Sequence, residues 1–444
     1  MTTRPTSLTW KKTAITCSLL LAGSAVVASG GGLSAFASTG HSSPSHHSAP
    51  PRLEWQNTWM AAVTHGDAAG STNVGFTDQS VRLIVHTTVS GGAVRIRISD
   101  QHGDQPITVG HATVAKPDTS TASESDILPN TLKELSFNGS ASTLIQKGAT
   151  VLSDPVALPV GSQQDLVVSI YFPTPTGPTT FHSTSRQTNF VGPGDNTDQI
   201  DGSGFTTTRT CCWFFLSGVD VLRQAGPGPV VVFGDSIGDS NGSTLDANTR
   251  WPNLLYARLA KTWGSNAPAV LNASLAGNRL NHEGTEPGAG GFPGYPELGT
   301  NAISRLDTDV YAETHVRTVI TDLGINDIWM SDDSSAAIIA TLKQLNTQLQ
   351  EKGIRSLVAT LGPYKGMLPA ETWTPEKEAT RQAVNAWIRS QHNFDGVIDF
   401  DKVIRDPADP QQLNPALDSG DHIHPNDLGN QKMANAVSLS LLVR

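Results

Sequence analysis

Four short blocks carry residue types that acyl transfer requires: VVVFGDSIGDS around Ser236, NASLAGNRL around Gly277, ITDLGINDI around Asn326, and GDHIHPND around Asp421 and His424. A hydroxyl nucleophile needs a base within reach. The base needs an acid that fixes its tautomer, and the tetrahedral oxyanion needs N–H donors. Ser236 fits the first role, and His424 with Asp421 at i and i+3 fits the next two. The backbone N–H groups of Ser236 and Gly277 and the side-chain amide of Asn326 fit the last. Taken singly, each has a plainer reading: a capping serine in a strand-to-helix turn, a turn glycine, an N-cap asparagine, a capping Asp-x-x-His. The loop GDHIHP also leaves open whether His422 or His424 faces Ser236. Asp235, Asn278 and Asp327 border the blocks and read as loop-holding residues. Arg279 reads either as a group orienting a substrate hydroxyl or as part of a structural ion pair.

Chemistry of this kind needs rigid elements that end where the blocks begin. From Val230 onward, strands and helices alternate. Strands are predicted at Val230 to Phe233, Ala269 to Asn272, Thr318 to Leu323, Ser356 to Leu361 and Val397 to Phe400. Helices are predicted at about Trp251 to Lys261, Ser335 to Lys352, Pro375 to Gln391 and Asp427 to Leu442. That alternation predicts an α/β fold with a parallel sheet covered on both faces. Ligands of such a sheet bind at the carboxyl ends of its strands, where every block falls. The run Gly234-Asp235-Ser236-Ile237-Gly238 also satisfies G-x-S-x-G, the nucleophile elbow of α/β-hydrolases. Position argues against that fold. The serine follows the first strand, no HGGG-type loop precedes it, and the acid and histidine lie close together near the C-terminus.

Before Val230 the apolar pattern has period two. Val81, Leu83 and Val85 alternate with Arg82, Ile84 and His86, and Val94, Ile96 and Ile98 with Arg95, Arg97 and Ser99. DLVVSIYF follows at Asp165 to Phe172, and the last strand runs from Trp213 to Leu222. Short β-rich runs between Gly, Pro, Asn and Ser clusters predict an all-β, jelly-roll-like sandwich. The expected organisation is a signal peptide over 1–37, a disordered Ser/His/Pro linker over 38–51, the sandwich over 52–223, a hinge over 224–229 and the catalytic domain over 230–444.

The N-terminus has a charged region (Arg4, Lys11, Lys12), an apolar small-residue run and Ala35-Phe36-Ala37, the pattern of a cleaved leader, so a secreted protein is expected. A net charge of −10 carries no basic stripe for nucleic acid or an anionic membrane, and no later segment reads as a membrane span. Of the 3 cysteines, Cys17 lies in the leader, and Cys211 and Cys212 are neighbours. Two reduced, buried thiols are expected, because a vicinal disulfide is strained. No spaced Cys/His set reads as a zinc site. His41, His46 and His47 read as a solvated linker. Trp251, Tyr295, Trp329 and Trp373 read as sugar-stacking or core residues, and the Gly-rich segment His282 to Gly299 as a lip on the site or a plain surface loop.

Together and in this order the blocks resemble the SGNH/GDSL hydrolase family, over about Gly228 to Arg444. RWPNLL, GNRL, RQAVNAWIR and DSGDHIHPNDLG, joined to an N-terminal sandwich, are similar to a secreted bacterial subgroup likened to acetylxylan esterases. The resemblance implies a three-layer, flavodoxin-like sheet, and it assigns the base to the histidine before Pro425, which is His424. It implies a secreted serine esterase that removes acetyl or other short acyl groups from polysaccharide or a small ester, with no cofactor and no metal, since side chains and backbone donors fill every role. The first block departs from the family at Gly238-Asp239-Ser240, where Thr-Asp-Gly is usual. The competing readings are a lipase or phospholipase with the same residues, a carbohydrate-binding protein with an inactive site, and a glycosidase with paired carboxylates.

Overall fold

The computed structural model describes residues 52–67, 70–209, 211–369, 372–390 and 392–442. The predicted leader and linker lie outside the described residues. Residues Pro51–Arg444 form one compact unit.

Antiparallel strands build the N-terminal part. One sheet orders Leu53–Met60, Leu216–Gln224, Ala93–Ser99 and Thr150–Leu152. A larger one orders Thr207–Arg209, Asn189–Pro193, Gln79–His86, Asp165–Phe172, His111–Ala115 and Lys133–Glu134. Val81, Leu83 and Val85 from one sheet and Val94, Ile96 and Ile98 from the other enter a common core, as period-two patterning demands. The alternation has one exception. Arg82, expected to face solvent, is fully buried. Its guanidinium donates to Ser169 Oγ at 3.0 Å, Ser125 O at 2.6 Å and Gln199 O at 2.7 Å, and lies 4.3 Å from the centre of the Phe205 ring. The outer face of that sheet is covered by the chain that returns through Ser125 and Gln199. The predicted strand Trp213 to Leu222 is two strands. Trp213–Phe214 pairs with Thr180–His182, then Phe215 takes a φ of 57°, and Leu216–Gln224 joins the first sheet. The expectation of two reduced, buried thiols is corrected: Cys211 and Cys212 form a vicinal disulfide, with Cys211 exposed.

The C-terminal part holds five parallel strands: β1 (Val230–Gly234), β2 (Val270–Asn272), β3 (Thr318–Asp322), β4 (Arg355–Ala359) and β5 (Gly396–Ile398). Their order is β2-β1-β3-β4-β5, the flavodoxin-like arrangement, in which the order reverses between β1 and β3. The helices include α1 (Trp251–Trp263), α2 (Ile325–Ser331), α3 (Ser335–Glu351), α4 (Pro375–Arg389) and α5 (Asp427–Ala436). β1 is buried along its whole length, as a strand covered on both faces must be. The last helix stops at Ala436, short of the predicted Leu442. The mixed α/β class, the five-stranded parallel sheet and the preceding sandwich are therefore as expected.

The two parts share an extensive boundary. Ala61 bridges to Asn272 at the end of β2. Glu313 of the C-terminal part accepts hydrogen bonds from Asn57 at 2.5 Å and from Arg97 at 2.9 Å. Residues after Gln224 are tied as well: Ala225 N donates to Arg52 O at 2.8 Å and Gln56 to Pro227 O at 3.2 Å. Among the described residues, no helix is long and apolar enough to cross a membrane.

Candidate active site

β1 ends in a tight turn that turns the Ser236 hydroxyl towards the C-terminal loop. Asp235 Oδ1 accepts from Ile237 N at 2.9 Å, and Asp239 N donates to Asp235 O at 3.0 Å. The glycines flanking this turn have a steric reason. A Cβ on Gly234 would come 2.7 Å from Ser274 Oγ, and one on Gly238 only 2.0 Å from it. Ser236 itself is 6 % exposed.

The loop before α5 brings the histidine to the serine. His424 Nε2 lies 2.8 Å from Ser236 Oγ, and His424 Nδ1 lies 2.6 Å from Asp421 Oδ2. Asp421 Oδ1 also accepts the backbone N–H groups of His424 at 2.8 Å and Ile423 at 3.1 Å, so one carboxylate sets both the loop and the ring. Burial works against ionisation of Asp421. The hydrogen bonds and charge of His424 and the N–H of Ile423 outweigh it and hold the carboxyl well below the usual carboxylate range. His422 takes a φ of 67° and turns its ring onto a different acid, with Nδ1 2.6 Å from Asp418 Oδ2. The ambiguity of GDHIHP is thus resolved in favour of His424. Asp418, four residues before His422, was the readable sign that the sequence reading passed over.

β2 and β3 bring the other two residues. Gly277 follows β2 with a φ of 75°, and a Cβ there would lie 2.4 Å from Leu298. Both its conformation and the approach of the Gly-rich loop demand glycine. Asn326 opens α2 just beyond β3. Its Oδ1 accepts the indole N–H of Trp329 at 2.8 Å, which fixes the amide so that Nδ2 is the donor. That nitrogen donates to Asn278 O at 2.9 Å and lies 3.3 Å from Asp235 Oδ2. Ser236, Gly277 and Asn326 therefore sit beyond the carboxyl ends of three adjacent strands, at the crevice where the strand order reverses.

Behind the serine lies a group of buried acids. Burial, then the neighbouring charge of Asp322, pushes the Asp235 carboxyl well above its ordinary value. The Ile237 N–H pulls the other way, and Asp327 and Asp239 add to the rise. Burial moves Asp322 up to about 7. Burial also raises Asp327 to about 6 against the N–H groups of Leu280 and Asn281, which it accepts at 2.9 Å each. Asp327, Asn278 and Asp235 thus hold loops, as expected. Arg279 is 1 % exposed and donates to Ser331 Oγ at 2.9 Å and Glu286 O at 3.0 Å, so it braces the Gly-rich loop instead of facing solvent. That loop is well bonded: Gly284 N to Gly299 O and Tyr295 N to Gly284 O are each 2.7 Å. Its Phe292 packs edge-on against Tyr295 and Trp329. Trp251 is wholly buried against Phe400 and takes no part in the site. Among the described residues, no group of three or more His, Cys, Asp or Glu side chains is placed to hold a metal ion.

A parallel sheet in flavodoxin order, with a Ser–His–Asp array at its carboxyl edge, defines a hydrolase-type α/β domain. Residues 232–432 match the model of the GDSL-like Lipase/Acylhydrolase family, in agreement with the resemblance carried by the four blocks. No curated protein matches the chain. Among solved structures, an acetyl xylan esterase is similar at 17% identity, covering 47% of this chain and 96% of its own, with a TM-score of 0.35. A GDSL-like lipase from Bacteroides thetaiotaomicron VPI-5482 is 14% identical, covering 48% and 87%, with a TM-score of 0.35. A family two carbohydrate esterase from Clostridium thermocellum, solved in complex with cellohexaose, is 12% identical, covering 86% and 98%, with a TM-score of 0.36. None of these likenesses transfers a substrate to this chain.

Proposed function

We propose that the protein is a secreted serine esterase acting on acetyl or other short-chain acyl esters, with polysaccharide as the physiological carrier. The observation that supports it most is the continuous array from Ser236 Oγ through His424 to Asp421, at 2.8 and 2.6 Å. In this reading Ser236 attacks the ester carbonyl while His424 Nε2 takes its proton. Asp421, held ionised, keeps the proton of Nδ1 in place and stabilises the imidazolium. The N–H groups of Ser236 and Gly277 and the amide of Asn326 receive the oxyanion. His424 then protonates the leaving alkoxide, and an activated water releases the acid from the acyl-enzyme.

The short acyl group is read from the loops around the site, which are Gly-rich and polar and suggest no long apolar channel. The leader-like N-terminus supports export, which N-terminal sequencing of protein from culture medium tests: a start at Ser38 agrees with it, and an intact Met1 in the cell fraction opposes it. Hydrolysis of p-nitrophenyl esters from acetate to palmitate, beside acetylated xylan, tests the substrate. Rates highest on acetate and falling with chain length agree with the proposal. A maximum on palmitate would replace it with the lipase reading, and no hydrolysis at all with that of a binding protein.

A further inference from the structure

The sandwich makes contacts that reach the loop beside the nucleophile. The loop that continues the nucleophile turn, residues 239–250, is held from both sides. On one side Asp427, at the start of α5 and three residues beyond His424, accepts from Thr244 Oγ1 and Thr249 Oγ1 at 2.5 Å each. On the other side the loop meets residues 182–188 of the sandwich. Thr188 donates its N–H and its hydroxyl to Asp246 at 2.6 Å each. Arg186 donates to Ser243 O.

The innermost contact lies next to the nucleophile. Asp239, three residues after Ser236, is fully buried. Two nitrogens approach its carboxyl group: His182 Nε2 at 3.2 Å and Arg250 Nη1 at 3.8 Å. Neither forms a hydrogen bond to it, and among the described residues both Asp239 oxygens lack a hydrogen-bond partner. The contact is therefore electrostatic, between donor nitrogens and a buried carboxyl group, where a lost partner is costly. His182 is itself fixed, with Nδ1 2.8 Å from Ala62 O and Nε2 3.1 Å from Thr184 O. Arg250 donates to Thr184 O at 3.1 Å and to Ser185 O, and lies 4.9 Å from the centre of the Trp213 ring. From Asp239 the link to the nucleophile is short: Asp239 N and Asn241 N bond back to Asp235 O and Ser236 O.

We propose that the sandwich is a working part of the reaction centre, and that His182, through Asp239 and Arg250, is a positioning residue that sets Ser236 relative to His424. The inference rests on the esterase reading above and gives the N-terminal domain a role in it. A small displacement of a nucleophile from its base is enough to slow the reaction without changing how the substrate is held.

The test is steady-state hydrolysis of p-nitrophenyl acetate, with the rate of fluorophosphonate labelling of Ser236 measured on the same full-length proteins. His182→Ala is expected to lower kcat by about tenfold to a hundredfold, with KM within about twofold, and to slow labelling by a similar factor. His182→Gln, which keeps a donor near Nε2, recovers most of the loss. Asp239→Asn, isosteric and therefore gentle to the fold, lowers kcat in the same way and carries the test if the alanine variant does not fold. Glu313→Gln, which weakens the same domain boundary through Asn57 and Arg97, leaves kcat at the wild-type level. If both His182→Ala and Asp239→Asn keep wild-type kcat, or fall no further than Glu313→Gln, the inference is overturned while the esterase reading stands. If the wild-type protein neither hydrolyses the ester nor labels, the esterase reading itself fails, and this inference with it.

Discussion

At Asp421 and His424 a sequence pattern and a geometry meet residue by residue, and the neighbouring His422 shows where sequence stops. Two histidines separated by one residue fall on the same side of an extended loop, so spacing alone does not choose between them. The choice comes from a pair of acids, Asp418 for His422 and Asp421 for His424, and from the positive φ at His422. His424→Ala is therefore expected to abolish hydrolysis of p-nitrophenyl acetate, and His422→Ala to keep most of it. Asp421→Asn falls between, because the ring keeps its place and loses its enforced tautomer. A second residue-scale prediction concerns Asn326, whose amide orientation depends on the Trp329 N–H. Trp329→Phe removes that donor, so part of the roughly 3 kcal/mol that one oxyanion donor supplies is lost. The expected signature is a lower kcat with little change in KM, and an unchanged kcat would show that Asn326 is oriented without the indole.

At the scale of elements, the strands and helices of the C-terminal part were legible because their apolar runs are long and their ends carry Gly or Pro. β3, α3 and α4 fall within a few residues of expectation. The misses have physical causes. Trp213 to Leu222 reads as one strand because nothing in its composition announces the left-handed Phe215, and only two competing sheets make that break worthwhile. Arg82 reads as an outward residue because alternation reveals which face a side chain takes and not what later covers that face. Its guanidinium now satisfies backbone carbonyls from Ser125 and Gln199. Arg82→Met leaves those carbonyls unpaired and is expected to cost at least about 1 kcal/mol in urea denaturation, with p-nitrophenyl acetate activity per folded molecule unchanged.

For the whole molecule, what the sequence could not reveal is how the two parts meet, since pairs such as His182–Asp239 and Arg97–Glu313 join residues far apart in the chain and carry no local signature. The buried acids have a collective consequence. Asp322 and Asp100 rise from 3.8 to about 7 through burial, and Asp235 rises as well. The folded chain thus holds protons that the unfolded chain has released from about pH 4 upward. Stability contributed by these groups is full below their ordinary value and is lost as pH rises through neutrality. The thermal midpoint is expected to fall between pH 5 and pH 8, and Asp322→Asn to flatten that fall. Asp421 acts oppositely, losing its contribution only as pH drops below the ordinary carboxylate range. All of this presupposes that Ser236 is the attacking group, and one measurement addresses that directly. The wild-type protein and Ser236→Ala, matched for thermal midpoint, are compared on p-nitrophenyl acetate, and the site of fluorophosphonate modification is mapped by mass spectrometry. The expected result is loss of hydrolysis in the variant and a single adduct on Ser236 in the wild type. Near-wild-type hydrolysis by Ser236→Ala, or an adduct on another serine, would contradict the assignment.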